Sequence, residues 1–229
     1  MKLESLVTLA VCAAAAVASP VSTSLHSSDL KSSRSVNPFT RLSKWFKRQG
    51  AITENGVLQN AGCQPLTLIF ARGTNEPGNM GDDVGPPLAT QLRSILSNRV
   101  TVQGLAYPAS TLGNLLLGRD GAGDLVDLVY QAKTQCPSSK IALSGFSQGA
   151  MVVHRALEDL SSGDVAAVLL YGDPLRFDTL ENIASSKVRN ICAPGDPICQ
   201  GGFDLDAHGT YGTYAREAAQ FIVSATGVS

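Results

Sequence analysis

The stretch KIALSGFSQGAMVVHRAL, residues 140–157, decides how this chain folds. An apolar run of strand length ends at Leu143, an apolar run with helical spacing begins near Gln148, and Gly145-Phe146-Ser147-Gln148-Gly149 lies between them. A serine with glycines two places before and two after, at a strand-to-helix junction, predicts a tight corner. The serine there takes a strained backbone conformation, and the glycines leave room for neighbouring main chain. The helix that follows turns its unpaired N–H groups and the positive end of its dipole toward the serine, which favours a developing oxyanion.

The same alternation extends outward in both directions. Strand-length apolar runs occur at 66–71, 100–105, 140–143, 165–171 and 188–192. Helical spacing occurs at 84–97 (Leu88, Leu92, Ile95 and Leu96 on one face), 124–134 (Leu125, Leu128, Val129, Ala132), 148–160 and 211–224. Continuous apolar strands alternating with helices predict a mainly parallel sheet covered on both faces. The expected fold class is therefore α/β, a single three-layer α/β/α sandwich. Its working site should lie beyond the carboxyl ends of the strands, where Ser147 falls.

Composition bounds the rest. The chain has 229 residues, 44% hydrophobic and 16% charged, enough for one domain with a substantial core. Residues 1–18 have the form of a secretory signal, with Lys2, an uncharged stretch, and Ala16-Val17-Ala18 as the cleavage site. That apolar run is too short to span a bilayer, so a secreted protein without stable membrane insertion is expected. Residues 19–48 set six Lys and Arg against Asp29, a net of +5, and end in Lys47-Arg48, a dibasic processing site that suits a pro-segment. Residues 49–229 carry eleven Lys and Arg against seventeen Asp and Glu, a net of −6, which argues against nucleic acid or an anionic membrane as main partner. A monomer is expected. No internal repeat and no N-x-[ST] acceptor is found.

Cys12 leaves with the signal, so four cysteines remain: Cys63, Cys136, Cys192 and Cys199. Four allow three pairings, among which spacing does not choose. One pairing would close a small loop between Cys192 and Cys199 and a large one between Cys63 and Cys136, worth about 2.5 and about 4.5 kcal/mol on the chain-entropy model. Without a C-x-x-C pair, and with export expected, disulfides are favoured over a zinc site, and no metal is expected.

A nucleophilic serine needs a base, and the chain has three histidines. His26 belongs to the pro-segment. His154 lies two helical turns beyond Ser147, about 10 Å away, and cannot reach its hydroxyl. His208 remains. In the chain order Ser, acid, His, the candidates for the acid are Asp164, Asp173, Asp178, Glu181, Asp196, Asp204 and Asp206. Asp196, in Gly195-Asp196-Pro197 directly after the last strand, is favoured; Asp173, in Gly172-Asp173-Pro174, has the alternative reading of a turn residue.

Together these residues resemble the fungal cutinases and the related carbohydrate esterases that include acetylxylan esterases. The resemblance spans about 60–224. It rests on Phe70-Ala71-Arg72-Gly73-Thr74, Cys136, the Ser147 pentapeptide, residues 192–199 (CAPGDPIC), and His208 with Tyr211 after it. It implies an α/β-hydrolase-like fold with Ser147 as nucleophile, Asp196 as acid and His208 as base. It also implies Cys63–Cys136 and Cys192–Cys199 bridges, an oxyanion hole from the N–H groups of Thr74 and Gln148, and no cofactor. Where cutinases often carry Ser, this chain has Thr74. The implied substrate is an insoluble cutin-type polyester or a small ester, held by Leu115, Leu116, Leu117, Phe203 and Leu205. The three leucines have an alternative reading as a buried helical turn. Deacetylation of xylan is the rival activity, and a non-catalytic surface-binding protein the rival class.

Overall fold

The structure, a computed structural model, describes residues 50–229. The expected signal, pro-segment and processing pair, with Cys12 and His26, lie outside the described residues.

Five parallel strands make one sheet: β1 (Leu66–Ala71), β2 (Val100–Gly104), β3 (Lys140–Phe146), β4 (Ala167–Tyr171) and β5 (Val188–Ile191), in the order β2-β1-β3-β4-β5. The strands alternate with α1 (Gly85–Ile95), α2 (Arg119–Gln135) and α3 (Gln148–Asp159); α4 (Pro197–Gln200) and α5 (Ala215–Thr226) follow β5. The side-chain period of two sorts the strands into two cores. Leu66, Leu68 and Phe70 of β1 pack with Leu88 and Leu92 of α1 and Ala218 and Ile222 of α5. Ile69 and Ala71 pack with Leu125 and Val129 of α2 and Val152, Val153 and Ala156 of α3. Because both faces are covered, the strands are apolar without alternation, which is why their sequences are continuous runs.

The elements differ from the sequence expectation mainly at their ends. β3 runs three residues past Leu143, to Phe146, so no loop separates strand from corner. α2 starts at Arg119 rather than 124, after Leu117 and Gly118 in left-handed conformations. The last helical segment opens with a 3₁₀ turn, Tyr211–Tyr214, before the α-helix proper.

Register aligns the carboxyl ends of the strands. Ala71 pairs with Gly145, Phe146 with Tyr171, and Tyr171 with Ile191. The chain leaves β1 toward β2 on one side and leaves β3 toward β4 on the other, so the switch in winding falls between β1 and β3. The crevice of an open α/β sheet forms at such a switch. Thr74, Ser147, Gly172 and Cys192 all stand just past those ends.

Cys63–Cys136 and Cys192–Cys199 are bridged. The first spans a sequence separation of 73 and lies at the opposite end of the sheet from the crevice, before the starts of β1 and β3. Replacing both of its cysteines by serine should cost roughly 2–5 kcal/mol, measured by urea denaturation, while kcat at 25 °C stays within about twofold of the parent. A loss of activity without loss of stability would contradict this placement.

Candidate active site

Ser147 sits between β3 and α3 with φ 53° and ψ −116°, a conformation that L-residues avoid. The neighbours make it obligatory. A Cβ on Gly145 would lie 2.4 Å from Gly149 O, and one on Gly149 would lie 2.0 Å from Ala71 O, so both positions exclude any side chain. Ser147 N–H donates to Tyr171 O (2.9 Å) and Ala150 N–H to Ser147 O (3.0 Å). Gln148 N–H, at the start of α3, has no acceptor among the described residues.

Two turns farther along α3, His154 is 6% exposed and its Nε2 lies 2.9 Å from Asp173 Oδ2. Asp173 also accepts the N–H of Leu175 (2.8 Å) and Nδ2 of Asn190 (2.5 Å). It is thus the turn residue that the sequence suggests, and also the buried partner of a packed histidine. His154 borders a separate cavity of about 430 Å³ with Arg176 and Asn190 in its wall.

His208 is held by the 3₁₀ turn Leu205–Gly209, which Asp204 caps by accepting the N–H groups of Asp206 (3.1 Å) and Ala207 (3.3 Å). Its Nδ1 lies 2.7 Å from Asp196 Oδ2. Its ring centroid is 5.0 Å from that of Phe146, the residue before Ser147. On the far side a Cβ at Gly172 would meet His208 Cε1 at 2.7 Å, and Gly172 has φ +52°. The imidazole is therefore seated over the ends of β3 and β4. No hydrogen bond joins it to the Ser147 hydroxyl in this structure; in unliganded enzymes that contact is commonly long.

Asp196 is fully buried. It caps α4, accepting Ile198 N–H at Oδ1 (2.8 Å), while Oδ2 accepts from His208 and from Tyr211 OH (2.5 Å). Tyr211 OH in turn accepts Ala193 N–H (3.0 Å). Burial by itself raises the carboxyl pKa, but the hydrogen bonds from Tyr211, His208 and Ile198 outweigh it and hold Asp196 below the usual carboxylate range. Burial, and then the bond to Asp196, push the Tyr211 phenol up, so it remains a donor. The Cys192–Cys199 bridge closes the loop that carries Asp196, so neither sulfur is available as a thiolate ligand for a metal.

Thr74 follows β1. Its Oγ1 is 3.1 Å from Asn114 Oδ1, and Gln148 Nε2 donates to Ser110 O (2.9 Å). Both residues are thereby tied to the 110–117 segment. Leu112–Leu116 is a 3₁₀ turn, and Leu115, Leu116 and Leu117 are exposed, Leu115 by 78%, which removes the reading of a buried turn. In the segment before His208, Phe203 is 101% exposed and Leu205 72%. An open cleft of about 520 Å³ is bordered by Glu76, Asp82, Asp83, Phe146, Leu205 and His208. No local sequence pattern points to its acidic wall of Glu76, Asp82 and Asp83. Burial, followed by the charges of Glu76 and Asp82, pushes Asp83 up to about 6.

This crevice, with a glycine-flanked serine in a positive-φ corner and a histidine paired with a buried aspartate beside it, defines the class: an α/β-hydrolase-like serine hydrolase. Comparison with known proteins narrows it. The family described as Cutinase matches residues 62–226. Cutinase 4 of Emericella nidulans is 46% identical over 197 residues, 86% of each chain, and a cutinase of Blumeria hordei is 40% identical over 178 residues, 75% of each. The structure of a Trichoderma reesei cutinase in complex with a C11Y4 phosphonate inhibitor superposes with a TM-score of 0.72 at 35% identity, covering 82% of this chain and 84% of that one. An acetylxylan esterase shares the fold, with a TM-score of 0.61 at 22% identity over 72% of this chain and 100% of that one. The chain belongs to the cutinase family and is a serine ester hydrolase.

Tyr211→Phe deletes a donor to Asp196, so its carboxyl pKa should rise toward the ordinary value. A folded pKa below the unfolded one gives stability that is present above the unfolded pKa and lost as pH falls through the folded one. The stability gap between parent and Tyr211→Phe should therefore be widest near neutrality and narrow below about pH 4. Urea denaturation across pH 3–7 measures it; a gap that widens on acidification would contradict the assignment.

Proposed function

We propose that the protein is an exported esterase that hydrolyses cutin-type aliphatic polyester and soluble short- to medium-chain esters through an acyl-enzyme on Ser147. The observation that carries this is the hydrogen bond between buried Asp196 and His208, whose ring is seated against Phe146 beside the positive-φ Ser147.

His208 takes the Ser147 proton as the hydroxyl oxygen attacks the ester carbonyl, then passes that proton to the departing alcohol. Water enters, gives a proton to His208, attacks the acyl-enzyme and releases the acid with Ser147 restored. Asp196 remains ionised, holds Nδ1–H in place and stabilises the imidazolium. The oxyanion is met by the N–H groups of Thr74 and Gln148. An Asn114 amide rotated by 180° would donate Nδ2 to Thr74 Oγ1 and release the hydroxyl hydrogen for a third bond. These steps balance without metal or cofactor.

Leu115, Leu116, Leu117, Phe203 and Leu205 are all exposed, and as the proposed apolar rim of the cleft they suit an aliphatic polymer surface better than an acetylated polysaccharide. The names of the relatives support the same substrate. Both disulfides, and the signal expected at 1–18, support export.

Ser147→Ala and His208→Ala should each lower kcat on a p-nitrophenyl ester by about 10⁴-fold or more. His154→Ala should leave kcat of the folded enzyme unchanged while costing about 1–3 kcal/mol, because it removes one of the three hydrogen-bond partners of the buried Asp173. Substantial turnover in His208→Ala would sink the assignment.

For substrate, each buried CH₂ is worth roughly 0.8 kcal/mol, so an open rim should gain over a few carbons and then level off. Rates on a C2 to C16 ester series should peak at short to medium chains, and Leu117→Asp or Leu205→Asp should weaken longer esters before acetate. A preference for acetate over butyrate, with acetylated xylan outcompeting polyester, would overturn the substrate and leave the three catalytic residues standing.

A further inference from the structure

The turn after β1 holds four consecutive amides, and three are already committed. Gly73 N–H donates to Glu76 Oε2 (2.5 Å). Asn75 N–H donates to Ala109 O (2.7 Å) and Glu76 N–H to Gly73 O (3.4 Å). Among the described residues, the Thr74 N–H alone in this turn has no acceptor.

Glu76 closes the turn with main chain and side chain together. Its second carboxylate oxygen, Oε1, accepts the N–H groups of Asp82 and Asp83 (3.3 Å each), which joins the turn to the loop before α1. Its carbonyl accepts Arg72 Nε (2.9 Å). The space for this carboxylate is built in. A Cβ at Gly81, where φ is +69°, would stand 2.5 Å from the Glu76 carboxylate; one at Gly73 would stand 2.8 Å from the Phe146 ring and 3.2 Å from Glu76 Oε2. The charges around it are adverse. Asp82 and Asp83 are its neighbours in the cleft wall, with His208 across from them and Arg72 and Tyr107 behind. Burial above all raises its pKa, against the pull of its three N–H partners.

A carboxylate next to a site that must hold an oxyanion opposes that charge by Coulomb's law. Such a residue serves the reaction only through its acceptor geometry. We infer that Glu76 is a positioning residue for the oxyanion turn: its carboxylate occupies three main-chain N–H groups and fixes the turn so that the Thr74 N–H is the one left for the reacting carbonyl oxygen. This rests on the proposed reading of Thr74 as an oxyanion donor.

The two possible influences of Glu76 predict opposite signs. If positioning dominates, Glu76→Gln, which keeps one acceptor oxygen but sets an amide NH₂ against an N–H, should lower kcat on a p-nitrophenyl ester by about 10-fold. Glu76→Ala should lower it by about 10²-fold, the scale of losing one oxyanion donor. KM should stay within about twofold, because the oxyanion exists only in the transition state. The rate of inactivation by an alkyl phosphonate, whose adduct places an oxygen in the same hole, should fall by the same factors. If the charge dominates instead, Glu76→Gln will raise kcat, and the inference is overturned. It is equally overturned by an unchanged kcat with a lowered Tm, or by a rise in KM alone. Should Glu76→Ala fail to fold, Glu76→Gln decides. Ser147→Ala run in parallel separates the two levels: residual turnover there would overturn the serine mechanism itself, whereas normal kcat in Glu76→Gln would overturn only the positioning role.

Discussion

The corner at Ser147 is the constraint on which the rest of the structure depends. A non-glycine residue at φ 53° and ψ −116° costs on the order of 1–3 kcal/mol and persists only where its surroundings over-determine it. Here they do so from three sides. Ala71 O closes on Gly149, Gly149 O closes on Gly145, and Tyr171 O receives the Ser147 N–H. Those contacts belong to β1, β3 and β4, so the corner exists only when the three central strands are in register. In return it places the Ser147 side chain and the start of α3 in the crevice at the switch in winding.

Around that corner, buried charge is arranged by hydrogen bonds more than by ion pairs. Asp196 accepts from three donors, His208, Tyr211 and a main-chain N–H of its own helix turn. Asp173 repeats the arrangement 23 residues earlier with His154, Asn190 and a main-chain N–H. Both carboxylates follow a strand end and a glycine, and both meet a histidine. The difference lies in position. His208 is 20% exposed in the cleft and rests on Phe146, whereas His154 is enclosed between α3 and the 172–190 segment.

That parallel marks what the sequence could and could not disclose. Ser147 and its glycines were legible because the corner is local, and His208 because only one histidine remained at a suitable distance. The sheet was legible because its double burial leaves continuous apolar runs. The two Gly-Asp-Pro turns look alike in sequence; which histidine each one meets depends on contacts 12 and 19 residues away. The tie between Thr74 and Asn114 spans 40 residues and that between Gln148 and Ser110 spans 38, beyond any local pattern. The role of Glu76 was hidden for a related reason. Its partners are main-chain N–H groups, which carry no residue identity to read.

The bridge at the foot of β1 and β3 has a consequence for how the molecule assembles. β1 lies inside the sheet, yet its partner β3 arrives only after β2 and α2 have been made, and parallel pairings of such separation form slowly, with apolar strands exposed meanwhile. Cys63 and Cys136 stand three and four residues ahead of the first register pair, Leu66 with Lys140. Once those sulfurs are joined, the long search for β3 becomes a short zipping step from a fixed starting point. An oxidising environment thus acts on the order of folding events as well as on their end state, and a reduced chain must find the central register of its sheet unaided.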